Sequence, residues 1–227
     1  SHTETTDLLD ANVKNYYLGE AYGMRAYVYF HLLRSWGGVV LHLDYTEGSS
    51  IDIGNLSKAA PSASEVMEQI KKDIQSSEDA FGNDYSFKYD RCYWSKAATM
   101  MLKGEVYLWS GRQMGGGNSD YAIAKAALED VKNAKVGLQS EFNKVFAYDN
   151  KENDEIIFTI HSGRNEYSMW NNMYRMTMVM NQANFGTYYD ENGTLLNETE
   201  MADMHGVIRY QIEQDLYTQL FREGDNR

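Results

Sequence analysis

Cysteine, proline and long apolar runs are almost missing from this sequence, and basic residues are in the minority. Cys92 is the single cysteine and Pro61 the single proline in 227 residues. One cysteine excludes a disulfide scaffold and any zinc site built on paired cysteines, so Cys92 is expected to act as a small buried apolar residue. No stretch approaches the ~18 apolar residues of a spanning helix. Twenty-one Lys and Arg stand against 33 Asp and Glu, a net charge of −12. That sign excludes phosphate backbones as natural partners and disfavours a purely electrostatic membrane-surface role. What the chain has instead is aromatic: 18 Tyr, 8 Phe and 4 Trp, together with 12 Met. Such a content excludes disorder and, with one proline, points to a folded chain rich in helix.

Four segments carry helical periodicity. The first, from about Leu8 to Trp36 with a break expected near Tyr17, includes "GEAYGMRAYVYFHLLRSWGGV". At ~100° per residue, Glu20, His31, Arg34 and Ser35 share one polar arc, while Tyr22, Ala26, Tyr29, Phe30, Leu32, Leu33 and Trp36 fill the rest. A helix so apolar is expected to be buried on most sides, ending at Gly37-Gly38. Arg25 falls beside Leu32 and Trp36, where a charge needs a carboxylate or carbonyl partner from a neighbouring element. "VVLHLDYT" alternates like a short strand or extended crossover. The second helix opens with a capping arrangement from Ser62 or Ser64 to Glu65 or Glu68, and its apolar stripe is Val66, Ile70, Ile74 and Phe81.

The third helix, "YWSKAATMMLKGEVYLWSG", repeats the first. "KGEVYLW" from Lys103 aligns with "RAYVYFH" from Arg25, and both run on into glycines. An amphipathic fourth helix, "SDYAIAKAALEDVKNA", follows. Long aromatic helix, amphipathic helix, then the same again is the pattern of degenerate tetratricopeptide-like repeats. After Val136 the character changes: a polar turn, then a strand expected at Glu155–His161. From Gly163 to Glu200 runs a Met-, Tyr- and Asn-rich stretch too long for a passive connection. A last helix is expected from about Val207 to Phe221. The fold class is therefore mostly α: irregular helical repeats with a few short strands and a long irregular insertion. Residues 8–136 form the scaffold, 137–206 the strand and irregular segment, and 207–227 a closing helix. No signal-peptide pattern opens the chain, and "LYTQLFREGDNR" stops just past a helical pattern, so a fragment of a longer protein is expected.

Catalytic motifs are missing. There is no H-E-x-x-H, no G-x-S-x-G, and "GGGNS" lacks the Lys of a phosphate loop. The five histidines have no metal-ligand spacing. "YDNKENDE" could offer Asp149, Asn150, Asn153, Asp154 and Glu155 to calcium, but without the spacing and glycine of an EF-hand loop a solvated turn is favoured. No cofactor is otherwise expected. What remains is a surface for sugars, whose C–H faces stack on rings and whose hydroxyls pair with amides and charged groups. The stretch from Ser162 to Gly193 has that mixture, and the candidate ligand residues are Arg164, Asn165, Tyr167, Trp170, Asn171, Tyr174 and Tyr188. Arg25, Tyr29, Trp36 and Tyr107 are expected to be structural.

These segments resemble one family. "GEAYGMRAYVYFHLLRSWGGV" is similar to the G-E-A-x-x-x-R-A-x-x-Y-F-x-L-x-x-x-aromatic-G-G-V signature of the SusD/RagB-like proteins of Bacteroidetes. In register with it, "KAATMMLKGEVYLWSG", "YAIAKAALEDVKNA", "NDEIIFTI" and the terminal "GDNR" resemble further family motifs. Val40 replaces the usual proline after G-G-V, and Tyr22 stands where a basic residue is common; neither alters the fold. The resemblance implies a noncatalytic, surface-exposed outer-membrane lipoprotein with tetratricopeptide-like helices. It implies capture of oligosaccharides or polysaccharides, or sometimes peptides, for a TonB-dependent SusC-like transporter. It also implies a longer protein, anchored through an N-terminal lipid absent from this chain. No family motif names the ligand residues. The alternatives are a peptide-binding carrier of the same family, a helical-repeat adaptor, and a glycosidase, which would need a catalytic carboxylate pair.

Overall fold

The computed structural model describes residues 8–43, 57–161 and 186–199, together with 213, 215, 216 and 219. It divides into two compact units, Ser1–Ile160 and His161–Arg227.

Four helices build the first unit: α1 (Ala11–Trp36), α2 (Ala63–Phe81), α3 (Lys96–Gln113) and α4 (Gly117–Asp130). A 3-10 turn, Val131–Asn133, and a single helical turn, Phe142–Val145, follow. α1 starts three residues later than expected, where the Asp10 side chain accepts from Asn12 N at 2.9 Å, and it runs unbroken past Tyr17. It stops at Gly37, whose φ of 77° is left-handed and suits glycine. α2 opens on a full capping box: Glu65 N donates to Ser62 Oγ while Ser62 N donates to the Glu65 carboxylate at 2.8 Å. The Ser62 hydroxyl, which also donates to that carboxylate, and then the Ser62 N–H hold the Glu65 carboxyl below its ordinary range. α3 is capped by Ser95, which accepts from Ala98 N.

Contacts along the helices set their directions. Gly19 near the start of α1 meets Phe81 at the end of α2, while Gly38 meets Pro61 just before α2 begins. Ser77 pairs with Thr99 and Lys71 lies against Tyr107, so α3 runs back along α2. Gly104 faces Leu128 and Gly111 faces Tyr121, so α4 runs back along α3. Each neighbour is antiparallel to the last, as paired helical repeats require. Small residues permit the approach: a Cβ on Gly23 would sit 2.0 Å from Trp94 Nε1, and one on Gly104 2.5 Å from Leu128 Cδ2.

The predicted α2 stripe of Val66, Ile70, Ile74 and Phe81 is buried, against Tyr29, Phe30 and Leu33 of α1 and Leu102 and Val106 of α3. Each of these large side chains contributes roughly 1.5–3 kcal/mol by leaving water. A polar seam crosses this core. Ser77 Oγ donates to Gly19 O at 2.6 Å and contacts Thr99 Oγ1 at 2.8 Å, and Trp94 Nε1 donates to Thr99 Oγ1 at 2.9 Å. Buried hydroxyls without such partners would be costly, so the seam also fixes the register of α1, α2 and α3.

Several expectations are corrected. Trp36, expected in the core, is 72% exposed. It is the last residue of α1, and none of the described helices extends over it. α1 is also less enclosed than expected, because Tyr17, Met24 and Val28 form an exposed stripe along it. Glu20, placed on the polar arc, is half-buried instead, and burial raises its carboxyl pKa. Neither expected strand forms a ladder among the described residues. Residues 39–43 take no regular secondary structure, with His42 N donating to Tyr29 Oη at 2.7 Å. The 155–161 segment is tied to the scaffold by Thr159 N donating to Arg91 O at 2.9 Å. Of the expected closing helix, positions 215, 216 and 219 are described and helical.

Candidate ligand-binding site

Of the seven candidate ligand residues, Arg164, Asn165, Tyr167, Trp170, Asn171 and Tyr174 lie outside the described residues, and Tyr188 lies within them. Tyr188 enters a tight turn in the second unit. "DENGT" supplies what that turn demands: the Asp190 side chain accepts from Asn192 N at 2.9 Å and Thr194 N at 2.8 Å, and Gly193 takes a φ of 81°. These donors hold the Asp190 carboxyl below its ordinary range. Across the turn Tyr189 bridges Leu195, and Leu196 N donates to Tyr188 O. Tyr188 and Tyr189 are both more than half exposed on this braced backbone. Stacking chemistry favours such a presentation, since little ring freedom is lost on contact.

Among the scaffold residues, Arg25 has the carboxylate it requires. Its Nε donates to Asp73 Oδ2 at 2.7 Å and its Nη2 to Asp73 Oδ1 at 2.6 Å, a fork from α1 onto buried Asp73 of α2. Gln69 donates to the same carboxylate. Tyr29 is buried with its hydroxyl on His42. Tyr107 is half-buried under the Lys71 ammonium, 4.3 Å from its ring centroid. That ammonium also donates to Asp120 at the start of α4.

Two other places collect polar groups. A cavity of about 470 Å³ opens between α2, α3 and α4 beside Glu78, Lys96, Lys103 and Asp130. Its charges are spent within the fold: Lys103 pairs with Glu78, Tyr85 donates to Asp130, and Lys96 donates to the Gly82 and Glu78 carbonyls at the end of α2. The acidic turn at 149–155 is similarly occupied. Asn153 Nδ2 donates to Val145 O and Asn150 O, Asp154 accepts from Arg91 and Lys135, and Glu155 accepts from Gln139 N. Among the described residues no three His, Cys, Asp or Glu side chains converge on a metal position.

A tyrosine cluster escaped the sequence reading. Tyr17, Tyr89 and Tyr93 are 42, 56 and 46% exposed; Tyr17 and Tyr89 each meet buried Tyr16, and Tyr93 meets Tyr89. Tyr17 and Tyr93 fall within helical patterns, and "KYDRCYW" shows no alternation that marks a surface. The available signal was two tyrosines four apart in the connection between α2 and α3.

No family model matches the chain. Individual proteins do. The solved structure of NanU from Bacteroides fragilis is 56% identical across 98% of this chain, with a TM-score of 0.87. A SusD superfamily protein from Bacteroides vulgatus is also 56% identical over 98% of the chain, with a TM-score of 0.85. The chain belongs to the SusD-like family. The SusD-like protein P38 of Formosa agariphila is 33% identical over 118 residues, 51% of this chain and 20% of that protein. The chain spans 44 and 45% of the two solved relatives. A structure with xylogluco-oligosaccharide shares the fold over 78% of the chain, with a TM-score of 0.61 and 23% identity. The SusD-like signature now has a physical content. Gly19 admits the Phe81 ring, Arg25 reaches Asp73, and Ala26 and Phe30 are wholly buried, so the signature encodes helix packing.

Proposed function

We propose that this chain is the scaffold and ligand-side part of a noncatalytic glycan-binding protein. It works at the outer surface of the outer membrane, held there by an N-terminal lipid, and delivers its ligand to a SusC-like TonB-dependent transporter. The observation that carries this is 56% identity over 98% of the chain to SusD-like proteins. Two further features support it. A protein of the same fold holds a xylogluco-oligosaccharide. The 162–193 segment combines rings with amides, the mixture that stacks sugars and satisfies their hydroxyls. Trp170, with Tyr167, Tyr174 and Tyr188, would supply stacking faces, and Arg164, Asn165 and Asn171 the hydroxyl partners. No resident cofactor and no nucleic acid enter this scheme, the net charge of −12 opposing the latter. Peptide capture by the same segment is the second reading, since Arg164 and the amides suit a peptide backbone as well.

Native gels containing xyloglucan, soluble starch, arabinoxylan, polygalacturonate or mucin test the proposal. At least one glycan should retard the protein, and Trp170→Ala should abolish much of that retardation. Retardation by none, together with binding to a peptide mixture, would move the assignment to peptide capture.

A further inference from the structure

We propose that Tyr17, Tyr89 and Tyr93 form a carbohydrate-stacking surface on the helical unit, in addition to the residues of the 162–193 segment. This rests on the glycan-binding assignment above. The cluster is organised around Tyr16 of α1. The Tyr16 ring stands edge-on to Phe81 at 5.7 Å, anchoring it to the core at the end of α2. Tyr17 and Tyr89 each meet Tyr16 at 6.1 Å between centroids, and Tyr93 meets Tyr89 at 4.8 Å. Tyr16 itself is covered: the Lys88 ammonium lies 4.5 Å from its ring centroid, and burial followed by the Glu20 charge pushes its hydroxyl pKa up.

Isolated exposed rings are ordinary, but Tyr89 and Tyr93 touch each other and Tyr17 is joined to them through Tyr16. The loop that carries Tyr89 and Tyr93 is tied at several points. Asp90 accepts from Cys92 N at 2.7 Å, Arg91 N donates to Glu152 at 3.1 Å, and Arg91 O accepts from Thr159 N at 2.9 Å. The buried Arg91 guanidinium adds Asp154, the Lys135 carbonyl and the face of Phe87. A ring held this way loses little freedom on binding, which lowers the entropic cost of contact.

The residue type selects the ligand. A surface for a protein helix would be expected to carry aliphatic side chains in a groove. Here the exposed atoms are ring faces and phenol groups, and the Tyr17, Tyr89 and Tyr93 hydroxyls make no hydrogen bond among the described residues. A sugar meets both needs at once, setting its C–H face on a ring and its hydroxyls against phenol, Lys88 or Asp90. Tyr89 and Tyr93, in contact and tilted by 49°, would present their outer faces as one joined surface to a sugar unit, with Tyr17 across Tyr16 available to the next.

The test uses the full chain and the glycan that retards it most strongly in the gel panel. Tyr89→Ala/Tyr93→Ala should weaken binding about fivefold or more with an unchanged circular dichroism spectrum and melting temperature. Tyr89→Phe/Tyr93→Phe, which keeps the rings and loses the hydroxyls, should weaken it about twofold. If the double alanine variant does not fold, Tyr93→Ala alone decides. Equal binding by the folded double alanine variant, or by Tyr93→Ala in that event, overturns the stacking surface and leaves glycan binding standing. A wild-type chain retarded by no glycan overturns both.

Discussion

α1 and α3 carry the same local pattern, yet beyond a shared contact with α2 they bury different positions of it. Arg25 and Lys103 occupy matching positions, and both reach acids on α2: Arg25 takes Asp73 and Lys103 takes Glu78. Two positions after the small residue the copies part. Val28 is 49% exposed while Val106 is 0% exposed, and Phe30 is wholly buried where Leu108 is about half exposed. The cause is where the neighbours lie. α3 lies between α2 and α4, whereas among the described helices α1 packs chiefly on α2. Similar sequence thus records the shared contact with α2, and the environment decides which other side chains become core. The pair also differs in strength, since Asp73 is 1% exposed and forked by Arg25, while Glu78 is 23% exposed.

The sharpest way to break this comparison is to truncate the matched bulky residues. Phe30→Ala should cost about 4 kcal/mol in urea unfolding, the usual loss for a buried ring, and Leu108→Ala less than about 1. Equal costs would mean that the two copies share one environment. The two ion pairs come next. Arg25→Ala should cost about 3 kcal/mol because it strands a buried carboxylate, and Lys103→Ala about 1. The smallest effect is pH-dependent and concerns the side of α3 that α1 lacks. Burial alone would raise the Asp120 pKa, but Ser110 and then Lys71 outweigh it and hold the carboxyl below its ordinary value. A folded-state pKa below the unfolded one contributes stability that is present above the unfolded pKa, about 3.9, and is lost as pH falls through the folded value. The stability difference between wild type and Asp120→Asn should therefore be full at pH 6 and shrink below about pH 4. A difference that stays flat to pH 3 would contradict the assignment.

How far this was legible follows from the same physics. Period and capping residues revealed α2 and its stripe, because an amphipathic helix with one buried face shows its pattern directly. The need for an Arg25 partner was legible from its place among apolar residues, although Asp73, 48 positions away, was not nameable. Trp36 and Glu20 were misplaced for one reason: angle around a helix does not say how far along it a neighbour reaches. The end of α1 is uncovered at Trp36, while Tyr16 and the Trp94 backbone enclose Glu20 near its start. The tyrosine cluster was hidden because it joins α1 to a loop more than 70 positions away. Tyr188 could be chosen by chemistry, but only the Asp190 turn shows why it is presented. The other six candidate ligand residues remain a proposal from residue type.

Capture without cleavage is the central claim, and one incubation tests it. The protein is mixed with the glycan that retards it, and the same sample is run in the native gel and assayed for reducing ends. Persistent retardation with no rise in reducing sugar over the untreated glycan is the predicted result. Reducing ends that accumulate in proportion to protein and time, with retardation fading as the polymer shortens, would contradict it.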